Sequence, residues 1–124
     1  MLLTIKGNVP SQKNRKIISQ NRATGRPFLR SAPAVKEWQE SAMYQLARQW
    51  NGFKVSGYPI SMVVVLYFSD LRRRDLDNAL SSVMDALVAA GVIEDDSVAY
   101  VDCISVQYGG HDKENPRVEV HLDD

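Results

Sequence analysis

Seven consecutive residues, Arg72-Arg73-Arg74-Asp75-Leu76-Asp77-Asn78, form the densest set of groups able to do chemistry in this chain. Asp75 and Asp77 flank one apolar residue, so in an extended segment both carboxylates point to the same side. A second acidic group, Glu94-Asp95-Asp96, follows about one helix later. Spacing does not decide whether that group returns alongside the first pair or stands at the far end of the helix. If the groups meet, three or more carboxylates share a small volume and repel unless a divalent cation sits among them. Hard oxygen ligands favour Mg²⁺ or Mn²⁺ over zinc. The competing reading is structural: Asp77 caps a helix, Asp75 pairs with Arg73 or Arg74, and residues 94–97 make a solvated turn.

Other chemistries have less to build on. His111 falls in a Gly-rich turn and His121 near the C-terminus, and neither has Cys or His at zinc-ligand spacing. Cys103, the only cysteine, reads as small core filling in a strand and fits a reducing cytosol. There is no nucleophile elbow and no phosphate loop.

The elements that must hold these residues follow from hydrophobic period. Leu2–Lys6 alternates as a short strand, and residues 7–16 are loop material with Lys13, Arg15 and Lys16 close together. Ile17-Ile18 and Phe28-Leu29 flank a bend at Gly25, which reads as a hairpin. Val35, Trp38, Ala42, Leu46 and Trp50 recur at helical spacing after Pro33, predicting a helix over 33–49. Pro59 to Phe68 lacks a polar face, the pattern of a strand covered on both sides. Leu76, Leu80, Val83, Met84, Leu87 and Val88 mark a second helix closed by Gly91. Val98–Tyr108 and Arg117–Leu122 read as strands and as hairpin partners. This order implies an α+β fold: one small mixed β-sheet, two helices packed mainly on one face, and a single domain over 1–124.

Composition agrees with that scale. The chain has 124 residues, 44% hydrophobic and 24% charged, which excludes disordered, collagenous and coiled-coil classes. The longest apolar run, Met62–Phe68, is far short of the roughly 18 residues of a membrane helix. The N-terminus lacks the pattern of a signal peptide, so a cytoplasmic protein is expected. Net charge is zero, yet residues 1–69 carry ten Lys and Arg against two acids, and residues 70–124 carry five against thirteen. That polarity suggests a basic surface for an anionic partner beside an acidic cluster that holds a cation; mutual neutralisation across the fold is the alternative.

Arg-Asp75-Leu-Asp77-Asn78, then Asp85-Ala86-Leu87, then Gly91 followed by Asp95-Asp96, resembles the RusA family of Holliday-junction resolvases. The likeness is close over 72–96 and looser elsewhere, reaching Pro10-Ser11 and Asn14-Arg15. These are small dimeric endodeoxyribonucleases of bacteria and their prophages. The resemblance implies that Asp75, Asp77 and Asp96 are the catalytic, Mg²⁺-binding aspartates, with the acidic turn closing beside the first pair. It also implies a lysine one helical turn after the second aspartate. Here Ser81 stands at that place, and neither Leu80 nor Ser82 supplies a shifted one.

The expected function is therefore Mg²⁺-dependent cleavage of four-way DNA junctions by paired nicking, in recombination and repair. Lys13, Arg15, Lys16, Arg22, Arg26, Arg30, Arg73 and Arg74 would follow the phosphate backbone of branched DNA. A homodimer would match the two-fold symmetry of a junction. Trp38, Trp50, Tyr58 and Tyr67 are candidates for its interface, although core packing suits each better. Ser81 leaves weaker activity, help from Arg74 or a partner's base, and loss of activity all open. A junction-binding protein that no longer cuts, or a nuclease of flaps and forks, are the alternative functions.

Overall fold

A computed structural model describes residues 1–10, 16–31, 33–50, 55 and 57–123. The elements are β1 (Leu2–Lys6), β2 (Lys16–Gln20), β3 (Pro27–Ser31), α1 (Pro33–Trp50), β4 (Ile60–Phe68), α2 (Leu76–Ala89), β5 (Val101–His111) and β6 (Arg117–Asp123). β1, β6, β4 and β5 form one mixed sheet in that order, and β2 and β3 pair antiparallel in a second, two-stranded sheet. The expected α+β architecture is present.

Alternation along β4 shows how the core is built. Ile60, Met62, Val64, Leu66 and Phe68 are buried, while the residues between them are only half-buried. The buried set packs with Leu3 and Ile5 of β1, Val118, Val120 and Leu122 of β6, Trp38, Ala42, Leu46 and Trp50 of α1, and Ala79, Val83, Ala86 and Leu87 of α2. Both helices thus cover one face of the sheet. The expectation that β4 is covered on both sides does not hold, because its apolar second face is screened by neighbouring strands rather than by a helix. On that face Arg117 lies 3.8 Å over the Tyr67 ring. Gly109 has no side chain because a Cβ there would meet Tyr67 at 2.6 Å.

Two further expectations change. β6 is not the hairpin partner of β5: β5 runs parallel to β4, and β6 pairs antiparallel with both β4 and β1. The 112–116 connection crosses the end of β4, where the Asp112 amide donates to the Phe68 carbonyl at 2.8 Å. Cys103 is exposed rather than a core filler, because β5 is an edge strand and Cys103 stands opposite Ser61 on the face away from the helices.

The two edges of the sheet differ. At β1, Gln45 and Gln49 of α1 reach over and bond its backbone. Gln49 accepts from the Thr4 amide at 2.9 Å and donates to the Thr4 carbonyl at 2.6 Å. Gln45 does the same at Lys6, at 2.8 and 3.2 Å. Among the described residues no such bond reaches the outer edge of β5.

Candidate metal and nucleic-acid site

The parallel β4–α2–β5 unit dictates where the carboxylates stand. β4 ends at Phe68, the chain bends through Ser69 and Asp70, and an extended run leads to α2 at Leu76. Asp70 organises that run. Its Oδ1 accepts the Arg72 amide at 3.0 Å and Nη1 of Arg74 at 2.6 Å. Arg74 lies 4.4 Å over the Phe68 ring, with its side chain only 11% exposed. The Arg74 hydrogen bond, and then the Arg72 amide, hold the Asp70 carboxyl far below the usual carboxylate range.

Neighbouring strands are tied to the same corner. Asn8 donates to Ser69 Oγ at 2.6 Å and accepts the Ser69 amide at 2.9 Å. His111 Nε2 lies 2.9 Å from the Ser69 carbonyl. From Asn8 the chain runs through buried Val9 to Pro10, whose carbonyl accepts a bond from Ser82 Oγ at 3.3 Å. The stretch leading to the basic loop therefore leaves from α2, five residues beyond Asp77.

Asp75 is the N-cap of α2, with φ −101° and ψ 125°, but its side chain makes no capping bond. Its contact is a loose one to Arg73 Nε at 3.9 Å, with the Asp75 side chain 52% exposed. Asp77 is exposed in the first turn, and no hydrogen bond or ion pair engages it among the described residues. Two acceptor groups are thus left open to solvent beside a helix N-terminus, which favours negative charge. Mg²⁺ is commonly held by one or two carboxylates, several waters and a substrate phosphate. Asp75 and Asp77 fit that pattern.

Asp96 stands elsewhere. α2 runs back along the sheet for 14 residues, about 21 Å at 1.5 Å per residue. Its end is sealed by the Val92 amide donating to the Leu87 carbonyl at 2.9 Å, with Val92 and Ile93 buried. The acidic turn then feeds β5 at the opposite end of the sheet, where the Ile60 amide donates to the Tyr100 carbonyl at 2.9 Å. Asp95 Oδ1 accepts the Asp96 amide at 2.8 Å, so Asp95 serves its own turn while Asp96 is exposed. No three His, Cys, Asp or Glu side chains gather to hold a metal among the described residues. The expected closure of the acidic turn beside Asp75 and Asp77 does not occur within one chain, because the length of the unbroken helix α2 separates them.

The basic residues divide. Arg22 and Arg26 are exposed at the tip of the β2–β3 hairpin, where the Gly25 amide donates to the Asn21 carbonyl at 2.7 Å. Arg73 is exposed, with its side chain 93% accessible. Arg74 is committed to Asp70 and Phe68, so its observed contacts are those of a scaffold residue. Lys13 and Arg15 lie outside the described residues, as do the side chains of Lys16 and Arg30. Ser81 lies half-buried in the second turn of α2, four residues after Asp77. Asp70, Asn8 and Ser82 went unrecognised in the sequence, and no periodic signal marks them, since Asp70 and Arg74 meet across a bend outside any helix.

The family model for endodeoxyribonuclease RusA matches residues 7–123, nearly the whole chain. The chain belongs to the RusA family. A curated relative, the crossover junction endodeoxyribonuclease RusA of Aquifex aeolicus (strain VF5), is 35% identical over 68 residues, 55% of this chain and 53% of the relative. The match thus spans about half the length of that relative. No helix among the described residues of this RusA-family chain is long and apolar enough to cross a membrane.

Proposed function

We propose that this protein is a Mg²⁺-dependent endodeoxyribonuclease that cleaves four-way DNA junctions by paired nicking, with Mn²⁺ able to replace Mg²⁺. The observation that carries the reading is the uncommitted Asp75–Asp77 pair at the mouth of α2, in a chain of the RusA family. The named activity of the Aquifex aeolicus relative points to the same substrate.

Asp75 and Asp77 hold the cation, and the clamp of Arg74 on Asp70 fixes the run that aims them. The bound ion supplies Lewis-acid polarisation of the scissile phosphate and a lowered pKa for its water. Arg73 and the bases of the N-terminal loop and hairpin position the phosphate backbone without reading sequence. Asp96 enters from a second copy. Two-fold pairing that reverses the sheet direction lays the acidic turn of one chain beside the Asp75–Asp77 corner of the other. A homodimer then carries two such corners, one for each of two opposed strands.

The second reading is a junction-binding protein of the same fold without cleavage, and Ser81 favours it. A labelled synthetic four-way junction, incubated with protein and Mg²⁺ beside an EDTA control, separates the two. Symmetric nicks only with metal support the nuclease. A shifted but intact junction supports the binding protein, and faster cutting of flaps or forks removes the junction as substrate.

A further inference from the structure

Phosphate contacts position DNA, but a linear duplex offers them as well as a branched one does. A basic surface alone therefore does not select a junction. The bend between β4 and α2 carries a group of another kind. Leu71 is 77% exposed, a large apolar side chain in solvent beside Arg72 and Arg73, whose side chains are 81% and 93% accessible.

Single exposed leucines are ordinary on a protein surface. What sets this one apart is the backbone that holds it. Asp70 Oδ1 accepts the Arg72 amide at 3.0 Å, closing a turn with Leu71 at its centre. Nη1 of the largely buried Arg74 lies 3.4 Å from the carbonyls of Asp70 and Arg72, the residues on either side of Leu71. Ser69, just before the turn, is bonded by Asn8 and His111. The turn is tied down on all sides while its apolar tip projects into water.

A rigid apolar tip flanked by solvent-facing guanidinium groups suits a nucleic-acid base face beside its phosphates. Leucine is among the side chains that enter base steps as wedges, at a cost in unstacking. That cost is least where stacking is already interrupted. In a four-way junction the pair that ends each arm meets the branch point, where the continuous stack of a duplex is broken.

We infer that Leu71 is the shape-reading residue of this protein: it packs against a base-pair face at the branch point while Arg72 and Arg73 hold the flanking phosphates. The inference rests on the junction substrate of the proposed function and names the residue that selects it. Leu71 stands four residues before Asp75, so the same contact brings the branch point to the carboxylate pair.

Binding in EDTA, with the strands whole, tests this. Leu71→Ser should lower affinity for a four-way junction about tenfold or more, the loss expected when a buried leucine is removed. Affinity for linear duplex should stay within about twofold and the salt slope should not change, because the phosphate contacts remain. Leu71→Met, which keeps an apolar tip, should retain the junction preference. Contact is read separately: in a Cys103→Ser background, Leu71→Cys should form a disulfide with a thiol tethered to a base at the branch point, and not with one placed well inside an arm. A Leu71→Ser protein that keeps the junction preference overturns the inference. So does an equal loss on junction and duplex with a reduced salt slope, which would make Leu71 a mere support for the arginines, and so does equal cross-linking at both tethers. In each of these cases a wild-type preference for junctions leaves the proposed function standing. A wild-type protein that binds duplex and junction alike overturns the junction substrate and the inference together.

Discussion

Arg74 sits 2.6 Å from Asp70 and 4.4 Å above Phe68, so the last side chain of β4 and the approach to α2 are locked by one guanidinium. The lock matters because only Asp75 lies between it and the first residue of α2, with Asp77 in the first turn. The Asp70–Arg74 clamp, with the bonds of Asn8 and His111 to Ser69, thus sets the direction of the site.

Asp70→Asn should keep the turn, since an amide oxygen still accepts the Arg72 amide, but it removes the charge that holds Arg74. Saturating cleavage should fall about tenfold through misplacement of the pair, while junction affinity stays within about twofold, as expected of a positioning residue. Equal losses in rate and affinity would instead mean that Asp70 supports DNA binding. Arg74→Ala should also lower stability, on the order of 1 kcal/mol, by removing the stacked guanidinium.

The same contact sets a pH expectation. Asp70 has a folded pKa far below its unfolded value near 4, so its stabilising contribution is full above about pH 4. It is lost only as pH falls from there through the depressed folded value. Thermal unfolding of Asp70→Asn and wild type should therefore differ constantly from about pH 5 to 8 and converge in stronger acid. Convergence already near pH 6 would assign the effect to another group.

Asp75→Asn, Asp77→Asn and Asp96→Asn should each abolish nicking while junction binding survives or tightens, since each removes both a ligand charge and repulsion toward phosphate. Asp95→Asn should be milder, its carboxylate being occupied by the Asp96 amide. A mixture of Asp75→Asn and Asp96→Asn chains discriminates further. If the site draws Asp96 from the second copy, a mixed dimer keeps one intact site and regains single-strand nicking. Silence of the mixture, with each variant shown to dimerise, would return Asp96 to a role within its own chain.

How much of this was legible in the sequence depended on whether a feature was local. α1 and α2 were readable because Trp38, Ala42 and Leu46, or Val83 and Leu87, repeat at helical period whatever the topology. The pairing of β6 was not, because Val118 and Val120 present the same alternation to any neighbour and only the crossing loop at 112–116 chooses one. The same limit governed the site. Asp75 and Asp77 are neighbours by covalent geometry, whereas the position of Asp96 depends on the whole β4–α2–β5 turn. The structural use of Arg74 was not legible, because the sequence offers it as a phosphate contact or a partner of Asp75, and its pairing with Asp70 depends on the bend that follows β4.

Charge on the N-terminal arm gives a separate expectation. Neutralising Lys13, Arg15 and Lys16 together should weaken binding to every DNA shape and reduce the slope of log affinity against log salt by about two to three. Neutralising Arg22 and Arg26 at the hairpin tip should lower the slope by up to about two. An unchanged slope in either case would remove that segment from the phosphate path.

Ser81→Lys tests the one departure from the family pattern. Residue 81 lies four positions beyond Asp77, on the same side of α2, so an ammonium there can reach toward the carboxylates and a bound phosphate. A preorganised positive group at developing negative charge is worth roughly 2–4 kcal/mol of barrier, or about 10²–10³ in rate. Some of that is already supplied wherever another base stands near the phosphate, so the expected gain is about tenfold. Arg74 was the first candidate for that base, yet its guanidinium is held by Asp70 and stacked on Phe68. Arg74→Ala should therefore reduce cleavage by the same factor in the wild-type and Ser81→Lys backgrounds, the mark of a scaffold. Arg73, exposed and only loosely held by Asp75, is the better-placed base. Arg73→Ala should cost more in the wild type than in Ser81→Lys, where the new lysine takes over part of its work. A greater loss from Arg74→Ala than from Arg73→Ala in the wild type alone would reverse that assignment.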